Sequence, residues 1–116
     1  MESPDIEEFE LTIAEARKHT DLADALERLG KNKDFKSLIL TGYLEEEAVR
    51  LVALKAVPQM LGDDMQKKIL TSIDGIGALT QYFSMINNVG AQAQIAIEDA
   101  NEAIVDIGRE EDEGRS

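Results

Sequence analysis

Between Asp63 and Ile86 the chain sets Ile69, Ile73, Ile76, Phe83 and Ile86 at steps of three and four, with Thr80 in the one gap. That spacing is one face of an α-helix, and the rest of the chain has to be arranged around it. Asp63 followed three residues later by Gln66 reads as an N-cap with its capping-box partner. The same stretch carries Gly75 and Gly77, each of which costs roughly 1 kcal/mol against alanine inside a helix. The missing side chains are therefore expected to serve close approach, of a ligand or, more simply, of another helix.

A chain of 116 residues is expected to be one domain. The only aromatics are Phe9, Tyr43, Phe35, Tyr82 and Phe83, so its core must rest on Leu, Ile, Val and Ala, which suits helices better than a sandwich. Without cysteine there is neither a disulfide nor a thiolate metal site. The densest apolar run, Leu51–Leu54, is bounded by Arg50 and Lys55, far short of the roughly 20 residues a membrane span needs. The opening Met-Glu-Ser-Pro-Asp has neither the positive flank nor the apolar stretch of a signal peptide. The expectation is a soluble intracellular protein.

The net charge of −12 is unevenly placed. Residues 1–29 hold nine acids and three bases, residues 91–116 hold eight and two, and residues 30–90 hold seven of each. Affinity for a phosphate backbone comes from lysine and arginine, so direct nucleic-acid binding is disfavoured. A basic protein surface is a more suitable partner, although surplus acid also serves simply to keep a small protein soluble.

In chain order, Ser3 as N-cap and Pro4 at the first helical position open a helix whose seam is Ile6, Phe9, Ile13, Ala16 and Ala23, joined by Leu22, Leu26 and Leu29. Gly30 sits where a C-cap glycine belongs. A seam this narrow suits one long partner helix. After a basic loop at Lys31-Asn32-Lys33, Phe35, Leu38 and Ile39 suggest a short helix ending near Gly42. Tyr43–Val57 then reads as a further helix, with Leu44, Ala48, Leu51, Val52 and Lys55 on one side. Val49 and Leu54 widen its apolar surface, so it is expected to be the most enclosed, and Pro58 stops it.

Past Asn87-Asn88-Val89-Gly90, where a break or kink is expected, Ala93, Ala96, Ile97, Ala100, Ile104 and Ile107 form a small-residue stripe. If the central helix covers residues 63–90 it spans about 42 Å. A globule of this length has a diameter of about 35 Å. The expected fold is all-α: an elongated hairpin or bundle of four to five helices over residues 1–107, with Gly108–Ser116 a disordered acidic tail.

The residues of chemistry are sparse. Glu45, Glu46 and Glu47 point in three directions on a helix and cannot jointly chelate an ion, and Asp63-Asp64 lacks calcium-loop spacing. The one histidine, His19, stands among Lys18, Thr20 and Asp21 with no recognisable catalytic partner. Gly75-x-Gly77 lacks the third glycine and the strand of a dinucleotide site. No phosphate loop, nucleophile elbow or zinc spacing occurs. No enzyme, cofactor or metal is expected.

Asp34-Phe35, the run Gly42-Tyr43-Leu44-Glu45-Glu46-Glu47-Ala48-Val49-Arg50-Leu51-Val52, and Ile73-Asp74-Gly75-Ile76-Gly77-Ala78-Leu79 with Gln81-Tyr82-Phe83 carry a resemblance. Over roughly residues 5–105 the chain resembles a family of small acidic helical proteins encoded by tailed bacteriophages. Relatives carry a basic residue where this chain has Thr80, so no role of that charge carries over. The resemblance implies a phage origin, in the host cytoplasm or the virion, and a place in the virion or in head or portal assembly.

Two functions follow. The first is a non-enzymatic protein that acts through protein contacts, with itself or with another phage or host protein. Its contact candidates are Tyr43, Gly75, Gly77, Tyr82 and Phe83, since glycines admit close approach and aromatics anchor interfaces. The same residues equally suit an internal core. The second is an inhibitor whose acids (Glu7, Glu8, Glu10, Glu15, Glu98, Asp99, Glu102, Asp106) imitate phosphates in a basic groove of a host protein.

Overall fold

The computed structural model describes residues 4–114. They are helical almost throughout, without a strand, so the chain is all-α. Three long helices replace the four to five expected. The first, α1, is Pro4–Gly30. In the second, α2, the turn Lys33–Phe35, a π-helical stretch Lys36–Glu47 and the α-helical Ala48–Leu54 follow one another without interruption. The third, α3, is Asp63–Gly114.

Local chemistry accounts for the ends. Pro4 is the first residue of α1, as expected, and Ser3, the expected N-cap, lies outside the described residues. Gly30 closes α1 without a left-handed turn, since no described glycine has positive φ. Instead the Lys31 and Asn32 amides reach back three residues to the Arg28 and Leu29 carbonyls. The Asn32 side chain then accepts the Phe35 amide at 2.9 Å and caps α2. At its far end Val57, held extended before Pro58, stops the helix.

Gln66 does not form the capping box read from the sequence. Its amide donates to the Gly62 carbonyl, and its side-chain Nε2 donates to the Lys55 and Met60 carbonyls at 3.1 and 2.7 Å. Gln66 thus ties α3 to the connection that leads into it.

Two expected interruptions are absent, both at glycines. At Gly42 the chain passes into the next turns by widening, and a methyl group there would stand 2.7 Å from the Ser37 carbonyl oxygen, five residues back. Only glycine fits that backbone without a shift, so the two helices read on either side of it are one. At Gly90 α3 runs straight on. A methyl group there would meet the Ala23 Cβ at 2.5 Å and the His19 carbonyl oxygen at 3.4 Å. Gly90 is a packing residue of α1 and α3, where the sequence suggested a break. The acidic stretch from Gly108, expected to be disordered, also prolongs α3 as far as Gly114, with Arg109 3.9 Å from Asp106. Adding residues to a formed helix is far easier than nucleating one. Arg115 and Ser116 lie outside the described residues.

The chain divides into two compact units. The middle unit comprises Leu26–Met85, and the terminal unit comprises the described residues of Met1–Ala25 and Ile86–Ser116. In the middle unit Leu51, Ile69 and Ile76 are buried together, with Tyr43, Leu44, Ala48, Leu54, Met60 and Ile73 packed on them. In the terminal unit Ala16, Ala93 and Ile97 are buried together, with Ile13 and Ala96 against them. The pairing of Ala23 with Gly90 and of Ala16 with Ala93 and Ile97 makes these helices antiparallel. The same register brings Phe9 and Ile6 level with Ile104 and Ile107, all half-buried. No helix among the described residues is long and apolar enough to cross a membrane.

Candidate interaction surface

The π-helical stretch changes which residues share a face. With a longer turn than the α-helix, positions four and five apart come into line, and such stretches are frequent at functional sites. Leu38, Gly42, Tyr43 and Glu47 line one wall of an open groove of about 520 Å³, continued by Leu51, and Thr71, Ser72 and Gly75 of α3 line the other. The Thr71 and Ser72 hydroxyls donate to the Lys67 and Lys68 carbonyls four residues back. The Tyr43 hydroxyl lies where a Gly75 side chain would begin, 3.5 Å from that position.

Glu47 holds the only carboxylate of this groove and does not offer it freely. Arg50, one turn on, donates Nε to both carboxylate oxygens at 3.1 Å and a terminal nitrogen to Oε1. The hydrogen bond from the guanidinium holds the Glu47 carboxyl below the usual carboxylate range and raises Arg50 in turn. The groove is therefore a mixed apolar and hydroxyl surface with one internally balanced ion pair. Among the described residues no three His, Cys, Asp or Glu converge as a metal site would require.

The five contact candidates separate. Tyr43 and Gly75 meet in the groove. Gly77 borders nothing within 4 Å and is exposed, so the close approach expected of it is not made within the chain. Gly75 has only ordinary contact with Tyr43, so neither glycine is what brings helices together. Phe83 is half-buried with its ring edge-on to Phe35 at 6.1 Å, a contact internal to the middle unit. Tyr82 points outward, half its surface exposed. The glycines that matter for packing are Gly42 and Gly90. The signal for Gly90 lay in the alanine stripe that follows it, where small residues continue on the same face.

Helix α2 also departs from the enclosure expected of it. Of Ala48–Leu54 only Leu51 is buried, while Val49 and Val52 are 70% and 61% exposed. Twelve large apolar residues are exposed among those described, against seven buried apolar residues; eight of the twelve lie in the middle unit and four, Leu11, Leu22, Ile95 and Val105, in the terminal unit. The terminal unit also presents charge. Glu7, Glu8, Glu10 and Glu15 of α1 and Glu98, Asp99, Glu102 and Asp106 of α3 are all exposed there. Lys18 bonds Glu15 at 2.9 Å and pulls its carboxyl below the usual range. His19 is exposed, beside Thr12, Glu15 and Gln92 in a shallow groove of about 410 Å³. Compared with known proteins, the chain matches no family model, no curated protein and no solved structure.

Proposed function

We propose that this chain works by binding proteins, without catalysing a reaction, and that copies of it associate. One observation carries the reading: over its Ala48–Leu54 stretch α2 is apolar both where Leu51 packs into its own unit and at Val49 and Val52, which do not. A surface helix ordinarily keeps its outer face polar, and a helix apolar all round is ordinarily enclosed. The resemblance to small acidic helical phage proteins supports a setting in virion, head or portal assembly. Sedimentation velocity over a concentration series, at low and high salt, tests the proposal. Apolar association persists or strengthens as salt rises, and a single monomeric species at every concentration and salt removes it.

A second reading, the acidic inhibitor, gains from the terminal unit. Both acidic ends of the sequence belong to the same compact unit, which holds the whole surplus of −12. Such an inhibitor binds a basic groove with an affinity that falls steeply with salt. The same salt series, repeated with a basic nucleic-acid-binding protein present, separates the two readings.

A further inference from the structure

The outward side of α2 has a definite pattern. Val49, Val52 and Ala53 fall at steps of three and four, which is one stripe of an α-helix, opposite the buried Leu51, and Ala56 follows in the turn past the helix end. Ala48, Val49, Val52 and Ala53 line a shallow apolar depression of about 380 Å³. Valine is a mediocre helix former, and here it is placed where the chain itself buries little of it.

The charges bordering the stripe are ordered along it. Glu45 and Glu46 are exposed one turn ahead of Val49, and Lys55 flanks the far end, three residues past Val52 and seven past Ala48. Arg50 beside them is already engaged by Glu47. The stripe thus has an acidic end and a basic end. A parallel copy would set acid on acid. An antiparallel copy sets the Glu45 and Glu46 end of each chain beside Lys55 of the other, around a centre of valine and alanine. The middle unit holds eight acids and eight bases, so the chain's surplus charge does not oppose this contact locally.

We infer that the Val49, Val52 and Ala53 stripe is a self-association surface, occupied by the same stripe of a second copy running antiparallel. The inference rests on the protein-contact reading above and commits it to a partner and a geometry. A twofold pairing of this kind uses one patch twice, each residue meeting its counterpart across the axis.

Sedimentation equilibrium on the full chain and on point variants tests it. Val52→Glu and Val49→Glu are expected to weaken self-association by roughly 30-fold or more, the loss typical of a central interface residue. Helicity by circular dichroism should stay unchanged, because both side chains are exposed in the single chain. Glu45→Lys and Lys55→Glu should each weaken association by up to about fivefold, and the two combined should restore it. Restoration is the mark of antiparallel pairing, since a parallel pair gains nothing from the exchange. If the wild-type chain associates and the valine variants associate equally well, this surface is wrong while the protein-contact reading stands. If the double exchange fails to restore association, the antiparallel geometry is overturned. A wild-type chain that is monomeric at every concentration overturns the pairing and self-association together.

Discussion

The two units of this chain solve the same problem, holding helices together with few aromatics, in opposite ways. The terminal unit relies mainly on small residues: Ala16, Ala93 and Ala100 are buried with a single large one, Ile97, and Gly90 lies directly on Ala23. The middle unit uses large ones, with Leu51, Ile69 and Ile76 buried under a surround that includes Tyr43 and Met60. Close approach of backbones gives the first unit its contacts, whereas side-chain volume fills the second. Charge divides along the same line. Residues 1–25 and 86–116 each hold eight acids and two bases, while residues 26–85 are balanced. The terminal unit therefore carries the chain's surplus of like charge, while the middle unit is neutral and holds eight of the twelve exposed large apolar residues.

The difference can be broken by substitution, most severely in the middle unit. Ile69, only 3% exposed, is the best buried of its core, and Ile69→Ala should destabilise by about 2–5 kcal/mol. Urea unfolding followed by circular dichroism measures this, and a loss below about 1 kcal/mol would mean that side-chain volume is not what holds that unit. In the terminal unit the sensitive position is a glycine. Gly90→Ala drives a methyl group onto Ala23 and should lower stability by roughly 1–3 kcal/mol despite alanine's better helix propensity. Ala23→Gly in the same chain should recover part of that loss, and a strictly additive double mutant would exclude the contact as its cause.

The same substitution in the same helix should have the opposite sign at Gly77. Nothing stands within 4 Å of its missing side chain, so Gly77→Ala should stabilise by about 1 kcal/mol. A loss there would expose a contact that the single chain does not contain. The smallest effect concerns the groove. Glu47 has its carboxyl lowered by the hydrogen bond from Arg50, so the pair's contribution is present above the ordinary carboxylate range and is lost as pH falls through the lowered value. Glu47→Gln should remove that part of the acid dependence of the thermal midpoint and leave the midpoint at neutral pH nearly unchanged, Arg50 being exposed and Glu47 only half-buried. A large change at neutral pH would show Glu47 to be a structural support of the π-helical stretch.

Much of the helical architecture was legible in the chain alone. Ala16, Ala93, Ile97, Ala100, Ile69 and Ile76 all belong to seams readable from spacing, and all are buried. Pro4 and Pro58 mark helix boundaries for reasons that act within a few residues. The candidate surface was legible only in part: Tyr43 and Gly75 do meet, whereas Gly77 stands open and Phe83 faces Phe35.

What the amino-acid order determined was the kind of element and the face of each that seeks cover, because both depend on neighbours three and four residues away. Only the tertiary structure decided which glycine is a contact and how many helices there are. Gly75, Gly77 and Gly90 are alike in sequence terms, each a small residue within a helical pattern. Their roles part according to what stands opposite on another helix, which is Ala23 for Gly90 and empty space for Gly77. The exposure of Val49 and Val52 was decided in the same way, since a helix with two apolar faces is covered on both only when the fold supplies a neighbour for each.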